Sequence, residues 1–463
     1  MKDISKVRFD ALAAYARDPH VSLLAVELRW LEFADERVLA TLILDFEGEF
    51  SGVIMARDMK ERYRWINMTD YFRSPEEALV AMEQKVDEIL PGLDEARDQG
   101  DERGPAVDFF GPVRAPERLN PDFVRLANTE GLSPAREIIE PMMRWYEDVD
   151  GNFVEQFQTT GFDARIWELY LFAALNEAGY RFDRSAPVPD FSARGLLGEF
   201  IVEATTVNPT LGPNGRPVPD PPTDTPEQRY AYDHEYMPIR YAGPLTAKLA
   251  KHYWEQPHVA GRPLVFAIQD FHASMSMTWS RSGLPIYLYG YDHVAERDAD
   301  GSLTIVPRKV SVHRWGAKEI PSGFFMLPGA ENVSAVMFNS SATISKFNRI
   351  GLMAGFGSGR VTLIQRGVAI DHDPNASEPK PFVRVVDEDY TESWVEGMDV
   401  YHNPRAKDPL DPAMLQGAAH HRLRGDEQIE TVAPEWQPVG SYTMIIVPER
   451  AREQSSSSEP APG

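Results

Sequence analysis

The middle of the chain carries the patterns that decide its fold, and in order they read FDARIWELYLFAALNEAGY (162–180), YRFDR (180–184), PDFSARG (189–195), GEFIVEATTV (198–207), GPLTAKLAKHYWEQ (243–256) and RPLVFAIQDF (262–271). The first pattern is apolar along most of its length and ends at Gly179, which predicts a helix. The next three are short and rich in aromatic and β-branched residues, which predicts strands, the second and third forming a hairpin. A second helix and a nearly continuous apolar strand follow. The predicted order is therefore helix, three strands, helix, strand.

Three carboxylates are expected to meet in this segment. Asp190 opens one strand of the hairpin and Glu203 lies near the end of the other, so both side chains can reach the same edge. Glu168 lies on the first helix among apolar neighbours, where a carboxylate costs free energy unless it is paired or metal-bound. Crowded carboxylates repel one another, and Mg²⁺ or Mn²⁺ relieves that repulsion because it takes hard oxygen ligands. The sequence therefore predicts a metal site at Asp190, Glu203 and Glu168.

These residues also carry a family resemblance. Gly179-Tyr180, Pro189-Asp190-Phe191 and Val202-Glu203-Ala204-Thr205 resemble the motif of the PD-(D/E)XK nuclease superfamily, whose fold is called restriction-endonuclease-like. The predicted element order is similar to the core of that superfamily, and Glu168 matches a helical position at which many members carry an extra metal ligand. The resemblance implies metal-dependent hydrolysis of phosphodiester bonds. Together with PGAENVSAVMF (328–338) and HNPRAKDPL (402–410), the segment also resembles a family of bacterial proteins.

One position departs from the superfamily pattern. The motif places Lys two residues after the Glu, and this chain has Thr205 there, which cannot supply a cation. Lys248 and Lys251 in the second predicted helix are the candidates to replace it, and the apolar face that Lys248 shares with Leu245 favours Lys248. We expect catalysis by Asp190, Glu203, Lys248 and Thr205, with Lys248 stabilising charge on the phosphate. The departure also leaves a second hypothesis open, in which the fold is catalytically inactive and serves as a binding or assembly module.

The rest of the chain divides into segments around this core. The expected divisions are a small α+β module (1–93), a charged linker (94–121), the restriction-endonuclease-like core (122–272), a mixed, loop-rich part packed on the core (273–448) and a polar, disordered tail (449–463). The expected fold class is thus α+β, with a small N-terminal meander module, a mixed-sheet core and a long mixed C-terminal extension. The N-terminal module is a candidate surface for forming a homo-oligomer.

The composition excludes several classes of function. The 463 residues include 47 Lys and Arg against 71 Asp and Glu, which gives a formal net charge of −24. That charge argues against broad binding to nucleic acid or anionic membrane, so a nucleic-acid partner requires a local basic groove. The absence of cysteine excludes disulfides, thiol nucleophiles, thiolate zinc sites and iron–sulfur clusters. Because no apolar run is long enough to cross a bilayer and the N-terminus lacks a signal-peptide core, we expect a cytoplasmic protein without a membrane partner.

Histidines and basic residues provide further candidates. A two-His, one-carboxylate site could be built from C-terminal residues, which gives a third hypothesis of a different metal-dependent hydrolase. Its candidate residues are Asp371, His372, Asp373, His402, Asn403, His420 and His421. Two basic stretches could contact a nucleic-acid backbone, with ordinary solvated charge as the alternative. They are the cluster Arg308, Lys309, His313, Arg314, Trp315 and Lys318, and the run 345–349.

Overall fold

The computed structural model describes residues 1–102, 105–146, 151–183, 185–186 and 188–448. The expected α+β class is confirmed, because helices alternate with both antiparallel and mixed sheets. The predicted disordered tail lies outside the described residues. In the part of the chain that is described, no helix combines the length and apolar character needed to span a membrane.

In the described residues, the strands form five sheets. In chain order they are β1 Lys2–Ile4, β2 Ala25–Phe33, β3 Val38–Asp45, β4 Phe50–Arg57, β5 Tyr63–Met68, β6 Tyr180–Phe182, β7 Phe191–Gly195, β8 Gly198–Val207, β9 Leu264–Asp270, β10 Tyr291–Arg297, β11 Leu303–Lys309, β12 Val312–Trp315, β13 Lys318–Pro321, β14 Ala335–Asn339, β15 Thr362–Ala369, β16 Lys380–Val385, β17 Met398–His402, β18 Ala419–Leu423, β19 Ile429–Val432 and β20 Pro438–Ile446.

Helices cover the faces of these sheets. In chain order they are α1 Lys6–Ala13, α2 Pro75–Ile89, α3 Leu93–Ala96, α4 Pro121–Asn128, α5 Ser133–Trp145, α6 Phe153–Gln158, α7 Phe162–Glu177, α8 Pro226–Ala231, α9 Met237–Leu249, α10 Gly283–Tyr289 and α11 Ile344–Met353. A π-helical turn, Tyr232–Tyr236, joins α8 to α9.

The N-terminal module is an antiparallel meander with the strand order β1-β2-β3-β4-β5. Helix α2 packs on one face through Met82 and Val86, which are fully buried against Leu42 and Ile54. Ser74 caps α2 by accepting a hydrogen bond from the backbone N–H of Glu77 at 3.2 Å. The small N-terminal meander module that the sequence predicts is therefore present.

The central sheet has eight strands in the order β19-β18-β17-β14-β9-β8-β7-β6. Its second half follows the predicted sequence of elements, α7, β6, β7, β8, α9 and β9. Strands β7 and β8 form the expected hairpin, whereas β8 and β9 are parallel, since the chain crosses through α9 between them. Strands β14, β17, β18 and β19 belong to the same sheet, so this sheet extends well past residue 272.

Helices α7 and α9 lie on opposite faces of the central sheet. Side chains of β8 alternate between the two, with Val202 and Ala204 in the core that contains α7 and Ile201 and Val207 in the core that contains α9. Trp167 fixes α7 to the sheet by donating its indole N–H to the Ala267 carbonyl at 3.1 Å. Strand β9 is apolar along most of its length because helices cover both faces of the sheet. Helix α7 is apolar because it packs into one of the two cores.

The segment predicted as a linker is partly packed against the core. Phe109 is buried, and the carbonyls of Phe109 and Gly111 each accept a hydrogen bond from the Gln158 amide at 2.9 Å. Phe110 also stacks on Phe123 of α4, with 6.1 Å between ring centroids. Residues 109–111 of the chain that joins the meander module to the core are therefore held against Gln158 and α4.

The basic run 345–349 lies inside the protein and is not a surface patch. Lys346 and Arg349 are 0% and 1% exposed, and both pair with Glu392, Lys346 at 3.1 Å and Arg349 at 2.7 Å. Tyr390 donates a further hydrogen bond to the same carboxylate at 2.8 Å. The interpretation of this run as a nucleic-acid contact is wrong, because both of its cations are buried and paired with one buried carboxylate.

Replacing Glu392 by Ala is expected to lower the free energy of unfolding by about 3–5 kcal/mol, since two buried cations would lose their counter-charge. Chemical denaturation measures the loss. As a control, Glu296→Ala breaks the exposed pair with Arg308, which lies 2.8 Å away, and is expected to cost under about 1 kcal/mol. Equal losses in the two variants would contradict the buried network.

Candidate active site

Glu168 is held on the inner side of α7. It is buried, and its Oε2 lies 2.6 Å from Arg165 Nη1, one turn earlier, and 3.0 Å from the Tyr146 hydroxyl. Arg165 is half-buried and bridges Glu168 and the Gln156 amide oxygen. Helix α7 thus supplies both Glu168 and the cation that pairs with it, Arg165.

Asp190 and Glu203 meet where the hairpin opens. Asp190 directly precedes β7, and its Oδ2 accepts a hydrogen bond from the backbone N–H of Ala204 at 2.7 Å. The backbone N–H of Asp190 in turn lies 3.3 Å from Glu203 Oε2. The Asp190 side chain therefore extends the β7–β8 hydrogen bonding by one step before the start of β7. It lies beside Glu203, as the sequence predicted.

Lys248 is the cation at this point. Its ammonium group forms an ion pair with Glu203 Oε1, and the Tyr253 hydroxyl donates to the same oxygen at 2.7 Å. Lys251 is exposed and lies beyond the end of α9 at Leu249, although the sequence placed it within this helix. Thr205 lies on the same face of β8 as Glu203, two residues further on, and is half-buried. The structure thus brings Asp190, Glu203 and Lys248 together.

Tyr253, Tyr146 and Arg165 complete the surroundings of the carboxylates and were not predicted. Burial, reinforced by the hydrogen bond to Glu203, raises the pKa of the Tyr253 phenol, so this residue stays a donor at neutral pH. Tyr253 follows Lys248 in the segment that the sequence assigned to one helix, but its approach to Glu203 depends on the turn after α9. Only the tertiary structure reveals that contact.

The electrostatics of the cluster centre on Asp190. Burial, together with the nearby charges of Glu203 and Glu168, raises the pKa of Asp190 to about 8. This carboxyl therefore responds to both other members of the predicted trio. A cation at this position would favour the ionised form of Asp190.

The chemistry of the donor set suits a hard divalent cation, although the side chains are turned toward protein partners. Asp190, Glu203 and Glu168 offer only carboxylate oxygens, which are the ligands that Mg²⁺ and Mn²⁺ prefer. Within the described residues, no three His, Asp or Glu side chains form a ready-made metal cluster. Glu203 Oε1 is occupied by Lys248 and Tyr253, and Glu203 Oε2 faces the Asp190 backbone. Ion binding would thus require small rotations of these carboxylates.

The C-terminal histidines are arranged differently. His402 Nε2 lies 2.9 Å from His420 Nδ1, while His421 Nε2 lies 3.0 Å from Asp399, which also pairs with Arg281. His372 is exposed and contacts the Glu435 carbonyl at 3.1 Å. Burial lowers the pKa of His402 to about 3, so its ring is neutral. These contacts split the histidines between internal hydrogen bonds and the surface.

The basic cluster near Trp315 is also divided. Arg308 pairs with Glu296 at 2.8 Å, and Arg314 pairs with Glu319 at 2.7 Å. Trp315 and Lys318 face each other across the β12–β13 hairpin and line a cleft next to α9. Only part of the predicted patch is therefore available to a ligand.

Comparisons of the chain with protein-family models, with curated proteins and with solved structures return no match.

Replacing Asp190 by Asn is expected to remove a pH-dependent instability of the metal-free protein. Because folding raises the pKa of Asp190 above its ordinary value, the folded state holds a proton that the unfolded state releases, and stability falls as pH rises from about 4 to about 8. The unfolding free energy of Asp190→Asn should therefore rise by about 4 kcal/mol relative to that of the unmodified protein between pH 5 and pH 9.

Denaturant titrations with a chelator present measure this gain, and comparing two pH values cancels any pH-independent effect of the substitution. Asp87→Asn, on the exposed side of α2, is the matched control and should show no such gain. A pH-independent difference for Asp190→Asn would show that Asp190 is not crowded by its neighbours.

Proposed function

We propose that this protein hydrolyses phosphodiester bonds of nucleic acid with the help of a divalent cation. The observation that carries the proposal is the contact between Asp190 and Glu203 at the open end of the hairpin, with the Lys248 ammonium on Glu203. Two carboxylates and one cation on rigid elements are the groups that metal-assisted phosphoryl transfer requires. The PD-(D/E)XK resemblance of the same residues supports this assignment.

Each residue has a role in the proposed reaction. Asp190 and Glu203 would hold Mg²⁺ or Mn²⁺, and Glu168 would support them from α7. A bound ion of this kind lowers the pKa of a water ligand and neutralises charge on a phosphoryl oxygen. Lys248 stabilises the negative charge that develops on the phosphate, from α9 and not from position 205. Thr205 is left as a neutral side chain beside the reacting group.

The proposed substrate is nucleic acid encountered in the cytoplasm. The net charge of −24 opposes broad adhesion to a polyanion, so contact must be confined to the neighbourhood of local cations. Lys248 is one such cation, because its side chain is 27% exposed at the carboxylate cluster. Contacts between such cations and the phosphate backbone give no sequence preference by themselves.

Substituting either carboxylate is expected to lower Mg²⁺-stimulated cleavage of a nucleic acid by at least about 100-fold, since the ion loses a ligand. The variants are Asp190→Asn and Glu203→Gln, which keep the size of each side chain. Gel assays on single-stranded and double-stranded DNA and RNA, with Mg²⁺ or Mn²⁺ and with a chelator, measure the rate.

Lys248→Ala and Lys251→Ala form a matched pair for the same assay. The first should slow cleavage by about 100-fold, whereas the second removes an exposed side chain and should change the rate by less than about twofold. Cleavage that survives in Asp190→Asn would overturn the mechanism. If the protein cleaves nothing and binds no Mg²⁺ or Mn²⁺ at millimolar concentration by calorimetry, the fold is a binding or assembly module.

The N-terminal module is proposed to mediate self-association. Leu24, Val26 and Phe46 are 57%, 54% and 76% exposed, and the Phe46 N–H donates to the Leu24 carbonyl at 3.2 Å, so these apolar groups lie close together. Exposed apolar groups that cluster in this way mark interaction surfaces.

Phe46→Ser is expected to weaken a homo-oligomer by at least about tenfold in dissociation constant, because a large apolar side chain leaves the contact. Sedimentation velocity over a concentration series measures the effect. Val432→Ser, an exposed position on β19, is the control and should not alter association. A monomer at every concentration of the unmodified protein would refute the proposal.

A further inference from the structure

A cleft of about 640 Å³ opens at the C-terminal end of β8, next to the start of α9. Val207 and Asn208 form its floor, and the proline-rich segment 208–221 forms one wall. Crevices at the carboxyl ends of parallel strands are common ligand sites in mixed folds, and β8 and β9 are parallel here. The volume falls within the range of about 300–1,000 Å³ that small-molecule sites occupy.

Two aromatic rings stand in this cleft. Trp315 comes from the tip of the β12–β13 hairpin and is 37% exposed, and Tyr236 comes from the turn before α9. Their ring centroids are 5.3 Å apart at an interplanar angle of 64°. The Tyr236 hydroxyl donates to Asp220 at 3.2 Å, which fixes this ring against the proline-rich wall. Trp315 is therefore the ring whose face can receive a flat ligand.

Two cations accompany the rings. Arg240 donates to the Thr210 hydroxyl and to the Asn208 carbonyl and lies over the Tyr236 ring, so its contacts are uncharged. Lys318 lies across the hairpin from Trp315. In the part of the chain that the structure describes, neither Arg240 nor Lys318 forms a salt bridge. In a protein of net charge −24, two cations without a carboxylate partner in one cleft indicate an anionic ligand.

The cleft is aligned with the carboxylate cluster along two elements. Tyr236, Arg240, Pro244 and Lys248 follow one another at four-residue spacing, so one row along α9 runs from the cleft to Glu203. From Arg240 to Lys248 the helix rises about 12 Å. Along β8, Glu203 and Val207 are separated by about 13 Å. A ligand bound in the cleft thus lies a short distance from the proposed reaction centre.

We propose that this cleft binds one nucleotide of a single-stranded nucleic acid, with the base stacked on Trp315 and the flanking phosphates at Arg240 and Lys318. This inference rests on the proposed function, since it places the rest of the substrate strand. An unpaired base is required, because stacking on a side chain uses a face that a duplex keeps covered. The separation from Glu203 corresponds to fewer than about four stacked nucleotides, each rising about 3.4 Å.

The test measures binding by fluorescence anisotropy with the full-length protein, a chelator and short fluorescein-labelled oligonucleotides. Single-stranded DNA, single-stranded RNA, a duplex and an abasic strand of the same length are compared. We expect the better of the two single strands to bind at least about tenfold more tightly than the duplex or the abasic strand. The comparison of DNA with RNA identifies the sugar that the cleft prefers.

Variants separate stacking from charge. Trp315→Ala should weaken single-strand binding by about tenfold, Trp315→Phe should keep it within about threefold, and Trp65→Ala, at an exposed tryptophan of the N-terminal module, should leave it unchanged. Lys318→Gln should lower the slope of log K against log salt by about 0.7, as expected for one lost phosphate contact, whereas Arg308→Gln should not.

The outcomes distinguish this inference from the proposed activity. If Trp315-dependent binding is found but no variant or condition gives cleavage, the cleft is a nucleotide site and the nuclease proposal fails. If the protein cleaves and Trp315→Ala cleaves and binds like the unmodified protein, the nuclease proposal stands and the cleft assignment fails. Equal affinity for the intact and abasic strands, or no binding at low salt, also overturns the cleft assignment.

Discussion

The start of β7 imposes the constraint on which the candidate site depends. Backbone pairing between β7 and β8 begins at Phe191, and just before it the Asp190 carboxylate extends this pairing by accepting a hydrogen bond from the Ala204 N–H at 2.7 Å. That hydrogen bond fixes Asp190 next to Glu203, so the two carboxylates are held together by the backbone geometry of the sheet. Burial and the charges of Glu203 and Glu168 then together raise the pKa of Asp190 to about 8. Ionisation of Asp190 is therefore costly unless a cation approaches this edge of the hairpin.

A second buried carboxylate in the same chain shows a different arrangement. Glu392 lies between Lys346 and Arg349, which are fully enclosed and have no path to a ligand. Lys248 by contrast pairs with Glu203 while keeping part of its side chain in solvent. The first arrangement holds elements of the interior together, whereas in the second the carboxylate is buried and only the lysine reaches solvent, where a phosphate can approach it. The exposure of Lys248, and not the number of charges, therefore distinguishes this pair from the Glu392 network.

Local patterning was sufficient to predict the elements around the site. Apolar runs predicted α7 and β9, and the predicted hairpin placed Asp190 beside Glu203, because both depend on residues close in sequence. Long-range contacts were not predictable in the same way. The burial of Arg349 depends on Glu392, 43 residues away, and the part of the central sheet built from β14, β17 and β18 depends on pairings that periodicity does not encode. Tyr253 reaches Glu203 only because the chain turns after α9.

Moving the cation from β8 to α9 has a further consequence. With Thr205 on the strand, the charge beside Glu203 comes from the same helix that carries Arg240 into the cleft. Helix α9 carries both Arg240 and Lys248 and rests on the buried side chains of Tyr241 and Leu245. Contacts that a ligand makes with Arg240 therefore act on the element that positions Lys248. A lysine on β8 would be anchored in the central sheet and would have no such link, so the strand binding and the chemistry that we propose would share helix α9.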